Sequence, residues 1–475
     1  MMLEQACVVP QEVLPPWQPP SLTNGLSTFS SDTARALSSV CRRWRRLLSN
    51  PVVWSDISVF ARSVDNLHWV ELCLRRSSHK ESMVRIDQPT MSRHGEEGFG
   101  AQTVITRYRT KIIGLYLRIA TASDCDVMNI EMTNLERLHL ADGSFAGDNT
   151  PTPFSLANFP GLRILTLEGV RAPLLAKEFA RITDLTLDNC ASPIDLSAIL
   201  TVAPIERLRL CRVSVTHGDA IDPLPNLKLL VIRGSPVSEI LAALPALSTN
   251  TKVYVHDWMS LEYPLFAGFP VPYSIFGHGN PVHTVSISMR PPIMSAVLRT
   301  SNGGQAEIIA EVPLKARHDS VQPLIMAMLL KLPTPSVLGS AHSMDIDVDS
   351  SVAREMDEEI ISRLLLAAPR IVQLFLRGPR MFHLICNALS SDRRHGRLLP
   401  DLASLNVNLH SDDSFLEDLP LLKDVVANRS AMWKIAFSGT QQQTASILRE
   451  TDILAKHLQE QGIRVFLLTS SPLSM

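Results

Sequence analysis

The sequence lacks the features that mark disulfide-rich proteins, zinc proteins and nucleic-acid-binding proteins. Its 475 residues include only 7 cysteines, an odd number, and no C-x-x-C pair. We therefore expect neither a disulfide framework nor a zinc site, and a reducing compartment fits best. The formal net charge is only −2, which leaves no overall field to attract nucleic acid or an acidic membrane. The 45% hydrophobic and 19% charged content is typical of a globular chain with a substantial core.

The sequence also lacks the long apolar segments that secretion or membrane insertion needs. Residues Met1 to Pro10 have no basic start and no apolar run of a secretory signal. The stretch from Tyr263 to Met289 has no Asp, Glu, Lys or Arg, but four prolines and three glycines interrupt it. These prolines and glycines prevent a continuous lipid-facing helix. We therefore predict a soluble intracellular protein, cytoplasmic or nuclear, with no membrane partner.

Motifs of catalysis and cofactor binding are missing as well. The sequence has no glycine-rich phosphate loop with its lysine, no G-x-S-x-G elbow and no H-E-x-x-H helix. Asp345, Asp347 and Asp349 begin like a calcium loop. However, Ser350 stands where that loop needs glycine, and Met356 stands where it needs a bidentate glutamate. We expect no cofactor, no metal and no enzymatic activity; a deep polar pocket with several carboxylates or histidines would favour an enzyme instead.

An apolar triplet returns five times between Leu135 and Ile232. Each copy has an apolar residue, two free positions, a second apolar residue, one free position and a third; the starts are 27, 20, 23 and 22 residues apart. The copies are Leu135-Leu138-Leu140, Leu162-Leu165-Leu167, Ile182-Leu185-Leu187, Ile205-Leu208-Leu210 and Leu227-Leu230-Ile232. The alternation that ends each copy predicts a strand. The stretch resembles leucine-rich repeats, in which neighbouring turns of a solenoid cover each other's leucines.

The residues between and beside the triplets are predicted to face away from the core and to bind a protein partner. They are Arg137, His139, Ile164, Thr166, Asp184, Thr186, Arg207, Arg209, Leu229 and Val231. The alternative is that they form only the solvated face of a sheet. Further copies begin at Ile112, Val282, Ile371 and Leu402, and a hairpin is predicted to turn at Asn302-Gly303.

The N-terminal region carries a second pattern. Leu37-Ser-Ser-Val40-Cys41-Arg42-Arg43-Trp44 is followed by Asn50-Pro51-Val-Val-Trp54. This string resembles the second half of an F-box, and the segments after it resemble F-box-like proteins of mushroom-type fungi. The resemblance implies binding to the Skp-type adaptor of a cullin–RING ubiquitin ligase. The residues that match the motif are Leu14, Pro15, Leu37, Val40, Cys41, Arg42, Trp44 and Trp54.

The first half of the F-box pattern is broken in this chain. Leu14-Pro15 stands for the opening Leu-Pro pair, but Pro19, Pro20 and Gly25 oppose the helix that should follow. The resemblance implies a substrate-recognition adaptor that holds an unknown protein substrate on the repeat face. The alternative is a leucine-rich-repeat interaction scaffold with a vestigial F-box and no ligase.

The predicted fold class is α/β, an irregular leucine-rich-repeat solenoid preceded by a short helical F-box-like segment. Residues 1–31 are expected to be disordered or degenerate, 32–59 to form the F-box-like segment and 60–475 to form the repeat domain. A flexible insertion is predicted at about 335–355, where serine, proline and aspartate outnumber large apolar residues.

Overall fold

The structure is a computed structural model that describes most of the chain. The described residues are 41–47, 56–59, 64–77, 82–86, 101–119, 127–142, 155–170, 175–190, 193–216, 226–235, 240, 251–256, 281–290, 293–311, 338–390, 398–408, 415–427, 431–439, 456, 458–460 and 462–469. The chain divides into two compact units, which we call unit 1 (Met1–Asp219) and unit 2 (Ala220–Met475).

Unit 1 is built on a parallel sheet whose strands pair in chain order. Within the described ranges its seven strands are β1 (Asp56–Val59), β2 (Ser82–Ile86), β3 (Ile112–Ile119), β4 (Arg137–Asp142), β5 (Ile164–Glu168), β6 (Asp184–Asp188) and β7 (Arg207–Cys211). Each strand pairs in parallel with the next one.

The triplet residues form the core beneath their strands, four copies in unit 1 and the fifth, Leu227-Leu230-Ile232, in unit 2. All fifteen triplet side chains between Leu135 and Ile232 are at most 4% exposed. This burial follows from the strand period, because alternate side chains point to the same face. The prediction that the triplets face inward is therefore confirmed.

The helices of unit 1 are short. They are α1 (Arg42–Leu47), α2 (Val64–Arg76), α3 (Ala101–Tyr108) and α4 (Leu196–Val202), with a 3₁₀ turn at Ala176–Phe179. The carboxylate of Asp195 caps α4 by accepting a hydrogen bond from the Ala198 amide at 3.0 Å, which satisfies one of the free amides of the first turn.

The strands of unit 2 pair both in parallel and antiparallel. Its ten strands in the described ranges are β8 (Leu229–Arg233), β9 (Lys252–His256), β10 (Val282–Arg290), β11 (Ile293–Thr300), β12 (Gln305–Glu311), β13 (Ser343–Val348), β14 (Gln373–Arg377), β15 (Ser404–Asn408), β16 (Lys434–Gly439) and β17 (Arg464–Thr469). Strand pairing gives the spatial order β8-β9-β12-β11-β10-β13-β14-β15-β16-β17. Among the strand pairs that the structure describes in this unit, only those of β11 with β10 and with β12 are antiparallel.

Four described helices belong to unit 2. They are α5 (Ser350–Ala353), α6 (Glu358–Ala367), α7 (Met381–Ser390) and α8 (Phe415–Ala427). None of the helices within the described ranges is long and apolar enough to cross a membrane.

The predicted fold class is wrong. The described residues contain seventeen strands and only eight α-helices, and they form mostly parallel sheets rather than an α/β leucine-rich-repeat solenoid flanked by helices. No α-helix is described between β3 and β6, and the antiparallel strand β11 interrupts the succession of parallel strands. The physical reason is that an apolar triplet specifies a strand and its buried face, but nothing about the segment that connects it to the next strand.

Two predictions for unit 2 have opposite outcomes. The hairpin is confirmed, because β11 and β12 pair antiparallel around Gly303, whose φ is +89°. The insertion predicted at about 335–355 is corrected, because β13 and α5 lie within it. Met344, Ile346 and Val348 of β13 are buried, so the aspartates between them are the outward residues of a strand.

Candidate protein-binding surface

Outward side chains of unit 1 line up across the strands in two rows. Because the strands are parallel and in register, partner residues on successive strands are direct neighbours. The first row is Met83, Gly114, Arg137, Ile164, Asp184 and Arg207. The central row is Arg85, Tyr116, His139, Thr166, Thr186 and Arg209. We call these two rows together the unit 1 face.

The face contains all seven polar residues among the ten that the sequence predicted for the repeat face. They are Arg137, His139, Thr166, Asp184, Thr186, Arg207 and Arg209. Ile164 belongs to the face as well, whereas Leu229 lies on β8 of unit 2. Val231, also on β8, is only 6% exposed, so its predicted exposure on a polar face is wrong.

One end of the face is a chain of aromatic and charged contacts. The guanidinium of Arg85 lies 4.4 Å from the centre of the Tyr116 ring, a cation–π contact. The Tyr116 ring in turn meets the His139 ring in a T-shaped arrangement with centroids 4.4 Å apart. His139 Nε2 donates a hydrogen bond to Glu168 Oε2 at 3.2 Å, since a carboxylate can only accept. These contacts hold the His139 ring in one orientation on the sheet.

The charge on Glu168 depends on this contact. The hydrogen bond from His139 holds the pKa of the Glu168 carboxyl below its ordinary value, against partial burial that acts to raise it. Glu168 therefore stays ionised and fixes the tautomer of His139. With Nε2 donating, the other ring nitrogen of a neutral His139 is an acceptor.

The other end of the face is a cluster of two arginines and one carboxylate. Arg207 Nη1 lies 3.5 Å from Asp184 Oδ1, and the Arg207 side chain is 54% exposed. Burial raises the pKa of the Asp184 carboxyl, while the charges of Arg207 and Arg209 oppose that shift. Burial also lowers the pKa of the Arg209 guanidinium. Arg209 is thus a half-buried cation whose desolvation the protein compensates only in part.

Two atoms on the face are buried without a hydrogen-bond partner among the described residues. They are Nδ1 of His139 and Nε of Arg209. A buried polar atom without a partner costs about 1–3 kcal/mol relative to one that is hydrogen-bonded.

The face carries an excess of positive charge. Its two rows contain four arginines and one carboxylate, Asp184. The next carboxylates towards the ends of the strands already have cationic or hydrogen-bonding partners: Glu168 contacts His139, and Asp188 contacts Arg212 Nη2 at 2.7 Å. The local charge therefore differs from the near-neutral total of the chain.

The adaptor-binding residues are only partly within the described ranges. Leu14, Pro15, Leu37, Val40 and Trp54 lie outside them. Cys41 is half-buried and immediately precedes α1, Arg42 begins α1 and is exposed, and Trp44 lies within α1. Helical structure at 42–47 agrees with the helix predicted for this segment, and it leaves the F-box assignment as a prediction.

Unit 2 has a pocket that sequence reasoning missed. It measures about 300 Å³ and lies on β14, β15 and β16, lined by Phe375, Leu376, Arg377, Asn406, Val407, Asn408, Ala436 and Ser438. Ala436 is the central residue of β16 and pairs with Asn406, so its small side chain leaves the hollow. A hollow made by a small side chain has no sequence signal until the strand register is known.

In the part of the chain that the structure describes, no group of three or more His, Cys, Asp or Glu side chains could hold a metal ion.

Comparisons with known proteins assign no family to this chain. No protein-family model matches the chain, and no curated protein matches it either.

Proposed function

We propose that this chain is a non-enzymatic binding subunit that holds a protein partner on the unit 1 face. The observation that carries the proposal is the alignment of polar and charged side chains in two rows over six in-register strands. A rigid sheet fixes the spacing of these side chains before a partner arrives, so little conformational entropy is lost on binding.

The second part of the proposal concerns the ligase. The N-terminal segment around Val40, Cys41, Arg42, Trp44 and Trp54 would dock the Skp-type adaptor of a cullin–RING ubiquitin ligase. Support comes from the resemblance of this string to the second half of an F-box and from the helix at 42–47. The chain would then act by proximity, holding a substrate lysine near a charged ubiquitin-conjugating enzyme.

Co-expression with the Skp-type adaptor tests the ligase part. We expect the native full-length chain to co-elute with the adaptor in size-exclusion chromatography. Trp44→Ala removes the largest side chain of the F-box-like string and should abolish co-elution. Arg109→Glu, a charge change at an exposed residue after α3, serves as the control and should leave the complex intact.

The two outcomes separate the proposed function from its alternative. A complex that forms with the native chain and is lost only in Trp44→Ala supports a substrate-recognition adaptor. A well-folded native chain that forms no complex contradicts the ligase part. In that case the protein is an interaction scaffold with a vestigial F-box, as the prolines at positions 19 and 20 favour.

A further inference from the structure

We propose that the unit 1 face binds an extended acidic segment of a partner protein, whose carboxylates bond the arginines at the two ends of the face. This inference rests on the proposed function only in taking the face as the partner site. It adds the chemical class of the ligand.

Charge is the first support. The two rows carry Arg85, Arg137, Arg207 and Arg209 against the single carboxylate of Asp184. Guanidinium groups present a planar fork of N–H donors that matches a carboxylate. A ligand that complements this face therefore carries negative charge.

Available donors are the second support. The Arg207 side chain is 54% exposed, so its guanidinium can be reached from solvent. The nearest anion on the face, Asp184, lies 3.5 Å from Arg207 Nη1, which is a long contact for a charge-assisted pair. A ligand carboxylate placed at Arg207 would add bonds that Asp184 leaves unmade.

Spacing sets the length of the ligand. Neighbouring strands lie about 4.8 Å apart, so Arg85 on β2 and Arg209 on β7 are about 24 Å apart along the central row. An extended chain advances about 3.4 Å per residue, so about seven or eight residues bridge the two ends. Thr166 and Thr186, in the middle of that row, carry no charge, so they suit the uncharged part of such a segment.

A polypeptide fits this face better than a nucleic acid does. Nucleic-acid backbones carry a charge at every nucleotide and are held by many cationic contacts. On this face Asp184 interrupts the arginines, and Glu168 lies beside His139. Peptide carboxylates sit on flexible side chains that can turn away from these two anions, whereas phosphates fixed in a backbone cannot.

Fluorescence anisotropy with labelled octaglutamate tests the inference on the full-length chain. We expect octaglutamate to bind at least about tenfold more tightly than octaglutamine, and to lose affinity at high salt. Arg207→Gln should weaken octaglutamate binding by about tenfold, because it removes a charge-assisted contact at the β7 end of the face. Arg137→Glu should weaken it by at least about tenfold, because it replaces a cation of the face with an anion. Arg109→Glu makes the same charge change as Arg137→Glu but lies outside the face, and it should change the affinity by less than about twofold.

Three results would overturn the inference. One is octaglutamate binding no tighter than octaglutamine, and another is an equal loss of affinity in Arg109→Glu. The third is oligothymidylate binding more tightly than octaglutamate and being lost in the same variants, which assigns the face to nucleic acid. Unfolding temperatures of all variants confirm that a lost signal reflects the face. Adaptor binding through Trp44 is measured separately, so failure with octaglutamate leaves the ligase proposal standing.

Discussion

Glu71 is the residue on which two helices of unit 1 converge. It lies on α2, is only 7% exposed, and accepts hydrogen bonds from Arg107 of α3 and from Arg75 one turn further along α2. Burial acts to raise the pKa of the Glu71 carboxyl, but the bonds and charges of Arg107 and Arg75 outweigh it and hold the pKa below 4.5. The carboxylate is thus ionised at neutral pH and ties α3 to α2.

Replacing Glu71 by glutamine tests how much its contacts with Arg107 and Arg75 stabilise the fold. A carboxyl with a lowered folded-state pKa stabilises the fold fully above its unfolded value, and this stabilisation is lost as the pH falls through the folded value. We expect Glu71→Gln to lower the free energy of unfolding by about 1–2 kcal/mol at neutral pH. The difference from the native chain should shrink as the pH falls below 4.5.

Urea denaturation at neutral pH and at steps below it measures this difference. Glu131→Gln, at an exposed position of the same unit, is the control and should follow the native chain. If Glu71→Gln lowers the free energy of unfolding by the same amount at every pH, the charge of the carboxylate contributes nothing to stability.

At the residue scale, part of the candidate surface could be predicted from the sequence. Alternation around the triplets identified outward residues such as Arg137 and Arg209, and the strand register places them in the two rows. Arg85 and Tyr116 were missed, because the face was predicted only from the five copies between Leu135 and Ile232, and β2 has no full triplet. Unpaired atoms on His139 and Arg209 could not be predicted, because they depend on the packing of neighbouring strands.

At the scale of elements, the sequence signals for strands were stronger than those for connections. The triplets and the hairpin at Asn302-Gly303 specify β4 to β8 and β11 to β12. The fold class nevertheless failed, because a triplet carries no information on whether a helix follows it. The segment at 343–348 shows a second cause: its alternating Met344, Ile346 and Val348 is a strand period, but the aspartates between them suggested a flexible loop.

Gly378 connects β13 to β14 by close backbone contact. Its φ is +114°, and a Cβ at this position would lie 2.0 Å from the Val348 carbonyl oxygen. Backbone strain of this kind costs about 1–3 kcal/mol for a residue with a side chain, and the clash with Val348 adds to it. We expect Gly378→Ala to lower the free energy of unfolding by more than about 2 kcal/mol.

Gly303→Ala provides the matched control for Gly378→Ala. Gly303 also has a positive φ, +89°, but a Cβ there would meet no atom within 4 Å. Its substitution should cost about 1 kcal/mol, from the left-handed backbone alone. Denaturant unfolding of both variants measures the difference, and equal losses would show that the contact with Val348 is unimportant.

At the scale of the whole molecule, the near-neutral net charge conceals a surface with a local positive excess. The net charge of −2 favours no single class of partner, yet the unit 1 face has a clear positive excess. We propose that a partner binds at that face and that the adaptor binds at the segment around Trp44. Since these are different groups of residues, changes in one should leave the other function intact.

Calorimetric titration of the Skp-type adaptor into the native chain, Trp44→Ala and Arg137→Glu tests this central claim most directly. We expect the adaptor to bind the native chain and Arg137→Glu with the same affinity and not to bind Trp44→Ala. No heat of binding with a folded native chain would contradict the ligase assignment. An equal loss of affinity in Arg137→Glu would contradict the separation of the two surfaces.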